Sequence, residues 1–558
     1  MPEKDIQKTV LSLVKAEADT LKGKEAPAVE KPVDYTFLQE CFRANSLGDG
    51  TYFAHLHHGK FVYAKKLQQW LVFTGQHWEV DHMERIYHGI EEVALAYLDY
   101  SYQTQKMVTE EKAKGPDASL QKISRLQKEE EAYYKRGNQL RADNRPESCL
   151  RYAHRIKQSP LAITGDELDS DPWLLACSNG VIDLRTGELR QGKPEDYLVN
   201  AIETAWEGID AEAPTWKAFL EDIFAVPKDL AEQCEEYPAL KPYMDNPEQY
   251  TQDLISALLR ALGYSITGLS CHHFFMVFMG EGRNGKSTLI EMMLDIFQPL
   301  AGVIPSEMLL DQGRSRSSSG PSPDLMLLKG LRLSIASETD ENRKFSPGAV
   351  KWLSGGDTIT ARELNTKFVK FKPTHTLALL TNHLPHAPAE DFPFWDRLKL
   401  FPFNWKYLDH PDPEKNHKKK NPDLLDKLKK EKAGILASIV RGCLEYQVQG
   451  LNWPLVVQVA TEKYRKQEDI IGQFIEDCCE KDENPATRTK FPEAYQAFKN
   501  WYLGNKGTKK TLIQKKKFSD LFSKRFQRKK VGDIYFYGVI VTDPGEEGVD
   551  KSDLWPDE

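Results

Sequence analysis

The sequence lacks the features of a secreted or membrane protein. It has only eight cysteines in 558 residues and no Cys-x-x-Cys pair, so neither a disulfide framework nor a zinc ribbon is expected. Cys271, His272 and His273 are adjacent, and adjacent side chains rarely converge on one ion, so we interpret them as a loop before a strand. No apolar run reaches the ~20 residues that span a bilayer, and the N-terminus has no signal-peptide core. We therefore expect a cytoplasmic protein with no membrane contact.

Positive charge is also lacking over the chain as a whole. The net charge of −8 excludes a protein that is basic all over, so any contact with nucleic acid must come from local basic patches. The length exceeds that of one hydrophobic core, and several domains are expected. Changes in composition and periodicity predict five segments: a flexible leader at 1–34, an α+β domain at 35–213, an α/β domain with a parallel sheet at 214–450, a small domain at 451–542 and an acidic tail at 543–558.

The first domain is predicted to change its periodicity twice. Short β-type runs are expected at 35–80, helices at 81–158 and strands again at 172–190. The charged stretch at 110–136 is interpreted as a solvated helical hairpin, with a coiled-coil arm as the alternative. None of these segments carries a pattern that indicates catalysis.

One loop in the α/β domain does carry a chemical signature. Gly280, Gly285, Lys286 and Ser287 complete the pattern Gly-x4-Gly-Lys-Ser between an apolar run at 274–279 and a helix-forming segment. In this pattern, backbone N–H groups at a helix N-terminus surround phosphates, the lysine neutralises the β and γ oxygens and the serine ligates Mg²⁺. A glycine-rich turn without a ligand is the disfavoured alternative. The sequence therefore predicts a site for ATP and Mg²⁺ formed by Gly280, Glu281, Gly282, Arg283, Asn284, Gly285, Lys286, Ser287 and Thr288.

Polar residues follow two strand-like runs downstream of this loop. Glu338 follows the run at 331–336, at the end where open parallel sheets place their ligands, and is predicted to hold the metal, partly through water, and to orient the attacking water. Asp340 or Glu341 could share this role or be solvated turn residues. Asn382 ends the next run and could bond the γ-phosphate or the lytic water, although asparagine is also a common turn residue.

Arg397 is the last candidate for the nucleotide site. It lies in an aromatic and apolar frame fifteen residues after Asn382. An ion pair with Asp396 would give it a purely structural role. In a ring it could instead reach the γ-phosphate of a neighbouring subunit, where an arginine stabilises charge in phosphoryl transfer.

A hairpin with a basic tip is predicted between Glu338 and Asn382. Residues 358–363 and 368–371 alternate as two strands around an Asn-Thr-Lys turn. Its lysines suit a phosphate backbone, although a turn lysine is also an ordinary solvated residue. The candidate DNA contacts here are Lys367, Lys370 and Lys372.

The small C-terminal domain concentrates basic charge. Residues 501–540 hold eleven Lys or Arg against two acids, a local charge of +9, and then residues 541–558 hold seven acids against one Lys. The segment 515–530 is predicted to be a helix with an apolar stripe and a free basic face, followed by a wing-like strand. Such a face suits phosphates, with a solvated face as the alternative, and the acidic tail could compete with DNA for it. The candidate DNA contacts are Lys515, Lys516, Lys517, Lys524, Arg525 and Arg528.

The order of these motifs resembles superfamily 3 helicases, specifically the helicase portion of phage and plasmid primases related to the poxvirus replication NTPase. The resemblance rests on GEGRNGKST, ASE, LSGGDTITAREL, LLTNHLP and FWDRLKLFPF, and its four key residues, Lys286, Glu338, Asn382 and Arg397, fall within 112 residues (397 − 286 + 1). It covers about residues 40–542. Outside the centre, 171–189 is similar to the domain that precedes the helicase and 462–479 to the start of a winged helix.

The resemblance implies a fold and a machine. It implies a helicase-associated domain at 35–213, an AAA+-like ATPase core at 214–450 and a winged helix at 451–542. It also implies a hexameric ring with ATP between subunits and translocation on single-stranded DNA. Forked DNA and a separate primase or polymerase are further expected partners, and the cytoplasm of a bacterial host is the expected location. By carry-over, Lys286, Ser287, Glu338, Asn382 and Arg397 serve ATP hydrolysis and Lys367 contacts DNA. Larger relatives carry a primase-polymerase domain at the N-terminus, and since only 34 polar residues stand there in this chain, we expect no primase activity in it.

Three functions remain open from the sequence. The first is a replicative DNA helicase of a phage or mobile element, driven by hydrolysis of Mg-ATP. The second is an initiator or DNA-binding switch that uses ATP only to assemble, because an initiator and a helicase share the same core. The third is a phosphate-loop kinase for small molecules, which the hairpin lysines and the basic C-terminal domain disfavour.

Overall fold

The computed structural model describes residues 33–142, 144–313, 321–337, 343–362, 368–484, 486–505 and 512–543. The chain forms two compact units, Met1–Gly208 and Ile209–Glu558. Among the described residues, every helix is too short or too polar to cross a lipid bilayer. Several predicted features lie outside the described residues: most of the leader (1–32), Glu338, Asp340, Glu341, Lys367 and most of the acidic tail (544–558).

The first unit begins with two helices where strands were predicted. The prediction of β-type runs is therefore wrong for residues 35–56. The side chain of Asp34 accepts hydrogen bonds from two N–H groups of the first turn and so begins a helix. Leu38 and Cys41, three residues apart, then face the core. The helices described in this unit are α1 (Tyr35–Arg43), α2 (Asn45–Leu56), α3 (Ile86–Ala113), α4 (Leu120–Gln139) and α5 (Arg145–Ala153).

Helices α3 and α4 form the predicted helical hairpin, but one of its faces is buried. The rings of Tyr133 and Phe42 stack with their centroids 4.0 Å apart. Arg136 pairs with the buried carboxylate of Asp49 at 3.0 Å, and the same carboxylate accepts a hydrogen bond from the hydroxyl of Tyr97. The hairpin interpretation is confirmed, and the hairpin is less solvated than predicted.

Two small sheets complete the first unit. One has the order β3-β2-β1-β4 and the other the order β7-β6-β5-β8. In each sheet the pairs are antiparallel except for one parallel edge strand. The strands are β1 (Phe61–Ala64), β2 (Gln69–Phe73), β3 (Trp78–Val80), β4 (Ala162–Ile163), β5 (Leu174–Cys177), β6 (Gly180–Asp183), β7 (Glu188–Arg190) and β8 (Ala201–Ile202).

The second unit is built around a five-stranded parallel sheet, which confirms the predicted α/β pattern. The order is β10-β11-β14-β9-β15, and every neighbouring pair is parallel. These strands are almost continuous apolar runs because the sheet is buried on both faces. The strands are β9 (Phe275–Met279), β10 (Ala301–Ile304), β11 (Leu333–Ser337), β14 (Thr376–Thr381) and β15 (Leu398–Pro402).

Helices and two short strand pairs surround this sheet. The pair β12 (Ile359–Ala361) and β13 (Val369–Phe371) is antiparallel, as predicted for the basic hairpin. The pair β16 (Lys406–Leu408) and β17 (His417–Lys419) is parallel. The helices are α6 (Pro214–Ile223), α7 (Leu230–Glu236), α8 (Pro242–Asp245), α9 (Pro247–Ser265), α10 (Lys286–Phe297), α11 (Pro323–Met326), α12 (Pro347–Leu353), α13 (Phe392–Trp395), α14 (Leu424–Lys429) and α15 (Lys432–Gln449).

The C-terminal part of this unit has its own aromatic core. Its sheets have the orders β19-β21-β20 and β18-β22. The predicted helix at 515–530 ends early: the chain is helical only to Phe522, and Gln527–Val531 is a strand. The elements are α16 (Leu455–Glu468), α17 (Ile470–Cys478), β18 (Cys479–Lys481), β19 (Arg488–Lys490), α18 (Phe491–Asn505), α19 (Lys515–Phe522), β20 (Gln527–Val531), β21 (Asp533–Tyr537) and β22 (Val539–Val541).

A buried histidine makes the second unit sensitive to acid. His375 is 5% exposed, its Nε2 lies 3.1 Å from the carbonyl oxygen of Leu353, and burial lowers its pKa to about 4. Because the unfolded chain binds a proton near pH 6.5 and the folded chain does not, stability is full above pH 6.5 and falls as the pH drops towards 4. The loss approaches about 3 kcal/mol.

His375→Gln is expected to reduce this acid sensitivity while keeping an N–H group near Leu353. Melting temperatures at pH 7.5 and 5 would show a smaller difference for the variant than for the wild type. His383→Gln is the matched control, because His383 is exposed. An equal pH difference in the wild type and His375→Gln would contradict the assignment.

Candidate functional site

The parallel sheet brings the predicted phosphate loop and Asn382 together at the carboxyl end of its strands. The loop at 280–285 leaves the carboxyl end of β9 and enters α10, and Asn382 directly follows the neighbouring strand β14. The N–H group of Gly280 donates to the carbonyl oxygen of Thr381 at 3.4 Å. Ligands of open parallel sheets bind at this end.

The glycines of the loop have different roles. Gly285 has φ +90°, and a Cβ there would lie 2.7 Å from Ile223 Cγ2. A Cβ on Gly280 would collide with the carbonyl oxygen of Phe403. A Cβ on Gly282 would meet nothing within 4 Å. Packing therefore requires Gly280 and Gly285, whereas Gly282 leaves open the side on which a ligand would approach the backbone.

Lys286 is buried beneath this loop. Its Nζ donates to the carbonyl oxygen of Gly280 and, at 3.1 Å, to Oδ1 of Asn382. Burial lowers its pKa to about 8, because a buried ammonium loses its hydration. The two predicted site residues Lys286 and Asn382 are thus in direct contact, and an anion at the loop would stabilise the charged ammonium.

Asn284 places a buried hydrogen-bond donor at the loop. It is 4% exposed, and its Oδ1 accepts from the N–H group of Lys286 at 3.4 Å. Its Nδ2 is buried and has no hydrogen-bond partner within the described part of the chain. Buried donors are almost always satisfied, so this one points to a bound acceptor. A phosphate oxygen satisfies that requirement, and the loop therefore fits a nucleotide.

A cavity of about 350 Å³ opens beside the loop. Its walls include Gly280, Glu281, Phe403, Trp405 and Lys406. The wall is tied to the loop, because Lys406 pairs with Glu281 at 3.4 Å. This size and aromatic lining suit the nucleoside part of a nucleotide.

The metal part of the predicted site is described only in part. Ser287 is exposed in the first turn of α10, which leaves its hydroxyl available to a metal. Glu338 lies outside the described residues, directly after β11, whose last residue Ser337 is in register with Leu380. Among the described residues, no cluster of three His, Cys, Asp or Glu side chains forms a preassembled metal site.

Arg397 lies at the opposite end of the sheet, directly before the amino end of β15. Its carbonyl oxygen accepts from the N–H group of Phe275, the first residue of β9, so a whole strand of about 15 Å separates it from the phosphate loop. Its Nη1 donates to the carbonyl oxygen of Lys351 at 2.6 Å and to Ser354 Oγ at 3.0 Å. The alternative ion pair with Asp396 is not formed among the described salt bridges. The structure does not bring Arg397 and Lys286 together within one chain.

The basic hairpin contains a residue pair that the sequence reasoning missed. Lys370 and Lys372 are exposed, as predicted. The guanidinium of Arg362 lies 4.8 Å from the ring centroid of Phe368, which is 49% exposed. The signal was an arginine and an aromatic residue flanking the turn.

The predicted basic residues of the C-terminal part are exposed, but they do not share one helix. Lys515, Lys516 and Lys517 stand at the N-terminus of α19, where the helix dipole disfavours cations. Arg525 donates to Asp469 at 2.6 Å, so it has a structural partner. As a correction to the predicted helical face, Lys524 follows the helix and Arg528 lies on β20.

This geometry gives a mixed α/β fold in which a loop with the phosphate-loop sequence pattern lies at the carboxyl end of a parallel sheet. Residues 50–225 match the family model described as "D5 N terminal like". Among curated proteins, the chain is 30% identical over 354 residues to "Putative helicase L207/L206" of Acanthamoeba polyphaga mimivirus, covering 61% of this chain and 34% of the relative. It is 26% identical to "Putative helicase 022R" of Frog virus 3, covering 61% and 40%, and 22% identical to "Putative primase C962R" of African swine fever virus, covering 62% and 35%.

The family model and these relatives confirm the resemblance to D5-like proteins that are named putative helicases and primases. The chain spans little more than a third of the length of these relatives. A solved structure of the NrS-1 C-terminal region is 11% identical with a TM-score of 0.33, covering 66% of this chain and all of that one.

Proposed function

We propose that the protein is an ATP-dependent replicative DNA helicase of a phage or mobile element that works as a hexameric ring. The observation that carries the proposal is the contact of buried Lys286 with Asn382 at the carboxyl end of the sheet, with Arg397 at the amino end. The two ends of the sheet thus carry different parts of one proposed hydrolytic site. This arrangement suits a head-to-tail ring, because each interface of such a ring joins unlike surfaces of two subunits.

The proposed roles follow from position. Bound Mg-ATP supplies the phosphoanhydride and the charge-neutralising metal. Lys286 would hold the β and γ oxygens, Ser287 would ligate the metal, and Glu338 and Asn382 would orient the attacking water. Arg397 would reach the γ-phosphate of the adjacent subunit. The strand order, with β9 between β14 and β15, supports an AAA+-like core.

The proposed DNA contacts lie in two places. The hairpin of β12 and β13 would carry Lys367, Lys370 and Lys372 into the channel of the ring. The helices α17, α18 and α19 followed by the hairpin of β20 and β21 support a winged helix. Its basic residues would position DNA through phosphates rather than select a sequence.

The deciding experiment is strand displacement on forked DNA with Mg-ATP, together with the ATPase rate with and without single-stranded DNA. A helicase displaces the strand and hydrolyses ATP faster with DNA. An initiator that only assembles would show DNA-dependent ATPase without displacement. If DNA does not change the rate of ATP hydrolysis and no strand is displaced, the helicase proposal is wrong and the small-molecule kinase is favoured instead. The absence of primase activity stays a prediction.

Removing basic residues of the C-terminal part is expected to lower the salt dependence of DNA binding. The double change Lys516→Ala and Lys524→Ala should reduce the slope of log affinity against log salt on single-stranded DNA by about 1.4, from two phosphate contacts. The double change Lys128→Ala and Lys135→Ala is the control, because it removes two exposed lysines of the first unit. Equal slopes for the wild type and the C-terminal variant would show that these lysines are solvated and do not contact DNA.

A further inference from the structure

The sheet of β19, β21 and β20 has one face turned towards solvent. Phe536 is fully buried and its partner Thr489 on β19 is 9% exposed, so this row points into the aromatic core. Because side chains alternate along a strand, the residues one position away point outwards. On the central strand β21 these are Tyr535 and Tyr537, which are half-buried.

The register sets these tyrosines between cations. Tyr535 is paired with Lys490 on one side and Lys529 on the other. Tyr537 is paired with Arg488 and with Gln527. The outward face therefore consists of two rows, each with a tyrosine in the centre, and we call these six residues the tyrosine platform: Arg488, Lys490, Gln527, Lys529, Tyr535 and Tyr537.

The cations of the platform lean over the rings. The guanidinium carbon of Arg488 lies 4.5 Å from the ring centroid of Tyr535, and Lys529 Nζ lies 5.0 Å from that of Tyr537. Both cations are exposed and reach diagonally across the sheet. A cation this close to a ring centroid is attracted to the face of the ring.

Among the described residues, Asp533, Asp482 and Glu493 stand at the margins of this face. Asp533 lies at the hairpin tip, where it is paired with Val531. At the other end, the Asp482 carboxylate accepts from the hydroxyl of Thr487. Glu493 accepts from the backbone N–H group of Lys490. The centre of the platform thus carries three cations and two rings.

We propose that the tyrosine platform binds single-stranded nucleic acid, with bases stacked on Tyr535 and Tyr537 and phosphates held by Arg488, Lys490 and Lys529. Aromatic rings interleaved with cations are the means by which proteins hold single strands without sequence preference. The site is separate from the lysines at the start of α19 and adds stacking to their electrostatic contact.

The spacing of the rings favours a single strand over a duplex. Tyr535 and Tyr537 are two residues apart on a strand, which places them about 7 Å apart. Stacked bases in a duplex are only about 3.4 Å apart and hide their faces. Two neighbouring bases can meet both rings only when the strand is extended and unstacked.

The test measures binding of the full chain to fluorescein-labelled oligodeoxythymidylate, without nucleotide, over a range of salt concentrations. The double change Tyr535→Ala and Tyr537→Ala should weaken binding at least about tenfold at every salt concentration, because stacking does not depend on salt. Tyr535→Phe with Tyr537→Phe should bind like the wild type. Lys529→Ala should instead lower the salt slope by about 0.7.

Two controls make the test specific. Tyr134→Ala removes a tyrosine that is 40% exposed in the first unit and should leave binding unchanged. A thymidylate strand carrying 5-iododeoxyuridine should crosslink to Tyr535 or Tyr537, as mapped by mass spectrometry. The test contains no ATP, and Lys286→Ala should crosslink as well as the wild type. The result therefore does not depend on whether the proposed ATP-driven helicase activity is correct.

Several results would overturn the platform. Wild-type affinity in the double alanine variant, with its melting temperature unchanged, would remove stacking. A loss in the phenylalanine variant as large as in the alanine variant would replace stacking with hydrogen bonding. Crosslinks confined to other residues would place the strand elsewhere. Replacing thymidylate by oligouridylate should show the same tyrosine dependence if the platform reads stacking alone.

Discussion

Lys286→Ala is expected to lower the rate of ATP hydrolysis at least about a hundredfold, because it removes a preorganised cation from the transferred phosphate. The ammonium is buried and held by the carbonyl oxygen of Gly280 and by Asn382, so it already stands where the β and γ oxygens would arrive. Alanine leaves no cation at this position. The measurement is phosphate release at saturating Mg-ATP, with and without single-stranded DNA.

The control for this change is Lys329→Ala, which removes an exposed lysine of the same unit. It should hydrolyse ATP at the wild-type rate. The melting temperature of Lys286→Ala should not fall, since the change removes a buried charge whose pKa is already lowered by desolvation. Hydrolysis by Lys286→Ala at the wild-type rate would show that the loop is not the catalytic phosphate site.

The phosphate loop was predictable because its chemistry and its fold depend on the same few residues. Gly280 and Gly285 are required by close contacts, and Lys286 and Ser287 follow from phosphate and metal chemistry. The flanking strand was equally clear, because a strand buried on both faces reads as a continuous apolar run. Local sequence and global fold agree there, which is where prediction succeeds.

The errors occurred where local patterns compete. Residues 35–56 contain aromatic and apolar residues that suit strands, but the cap at Asp34 and the spacing of Leu38 and Cys41 favour helices. At 515–530, Phe518, Phe522 and Phe526 keep a helical spacing and are all buried, yet the chain leaves the helix after Phe522. The last aromatic residue reaches the same core through a turn, and periodicity alone does not distinguish the two paths.

The candidate site could be predicted as a set of residues but not as a geometry. Sequence spacing placed Asn382 at the end of a strand, whereas its contact with Lys286 depends on β14 lying directly beside β9. That neighbourhood is a crossover of the sheet, which spacing does not reveal. The tyrosine platform was missed for the same reason, because its three strands come together only through pairing.

Arg397→Ala is expected to abolish hydrolysis while ATP binding is retained. It lies at the opposite end of the sheet, about 15 Å from its own phosphate loop, and the proposed ring would bring it to a nucleotide of another subunit. The measurements are phosphate release and the binding of a fluorescent ATP analogue. Ser354→Ala is the matched control, because it removes one partner of the guanidinium but leaves the charge.

Mixing the two inactive variants tests the trans role directly. In a ring of freely exchanging subunits at equal amounts, an interface is intact when an Arg397→Ala subunit supplies Lys286 and a Lys286→Ala subunit supplies Arg397. Half of each kind gives about a quarter of the interfaces intact, and hydrolysis should return to about that fraction of the wild-type rate. A purely structural arginine predicts a different outcome: the mixture stays inactive, Arg397→Ala melts at a lower temperature, and Ser354→Ala shares part of the loss through the weakened end of α12. Restored hydrolysis in the mixture, with an unchanged melting temperature for Arg397→Ala, would assign the site to the boundary between two subunits.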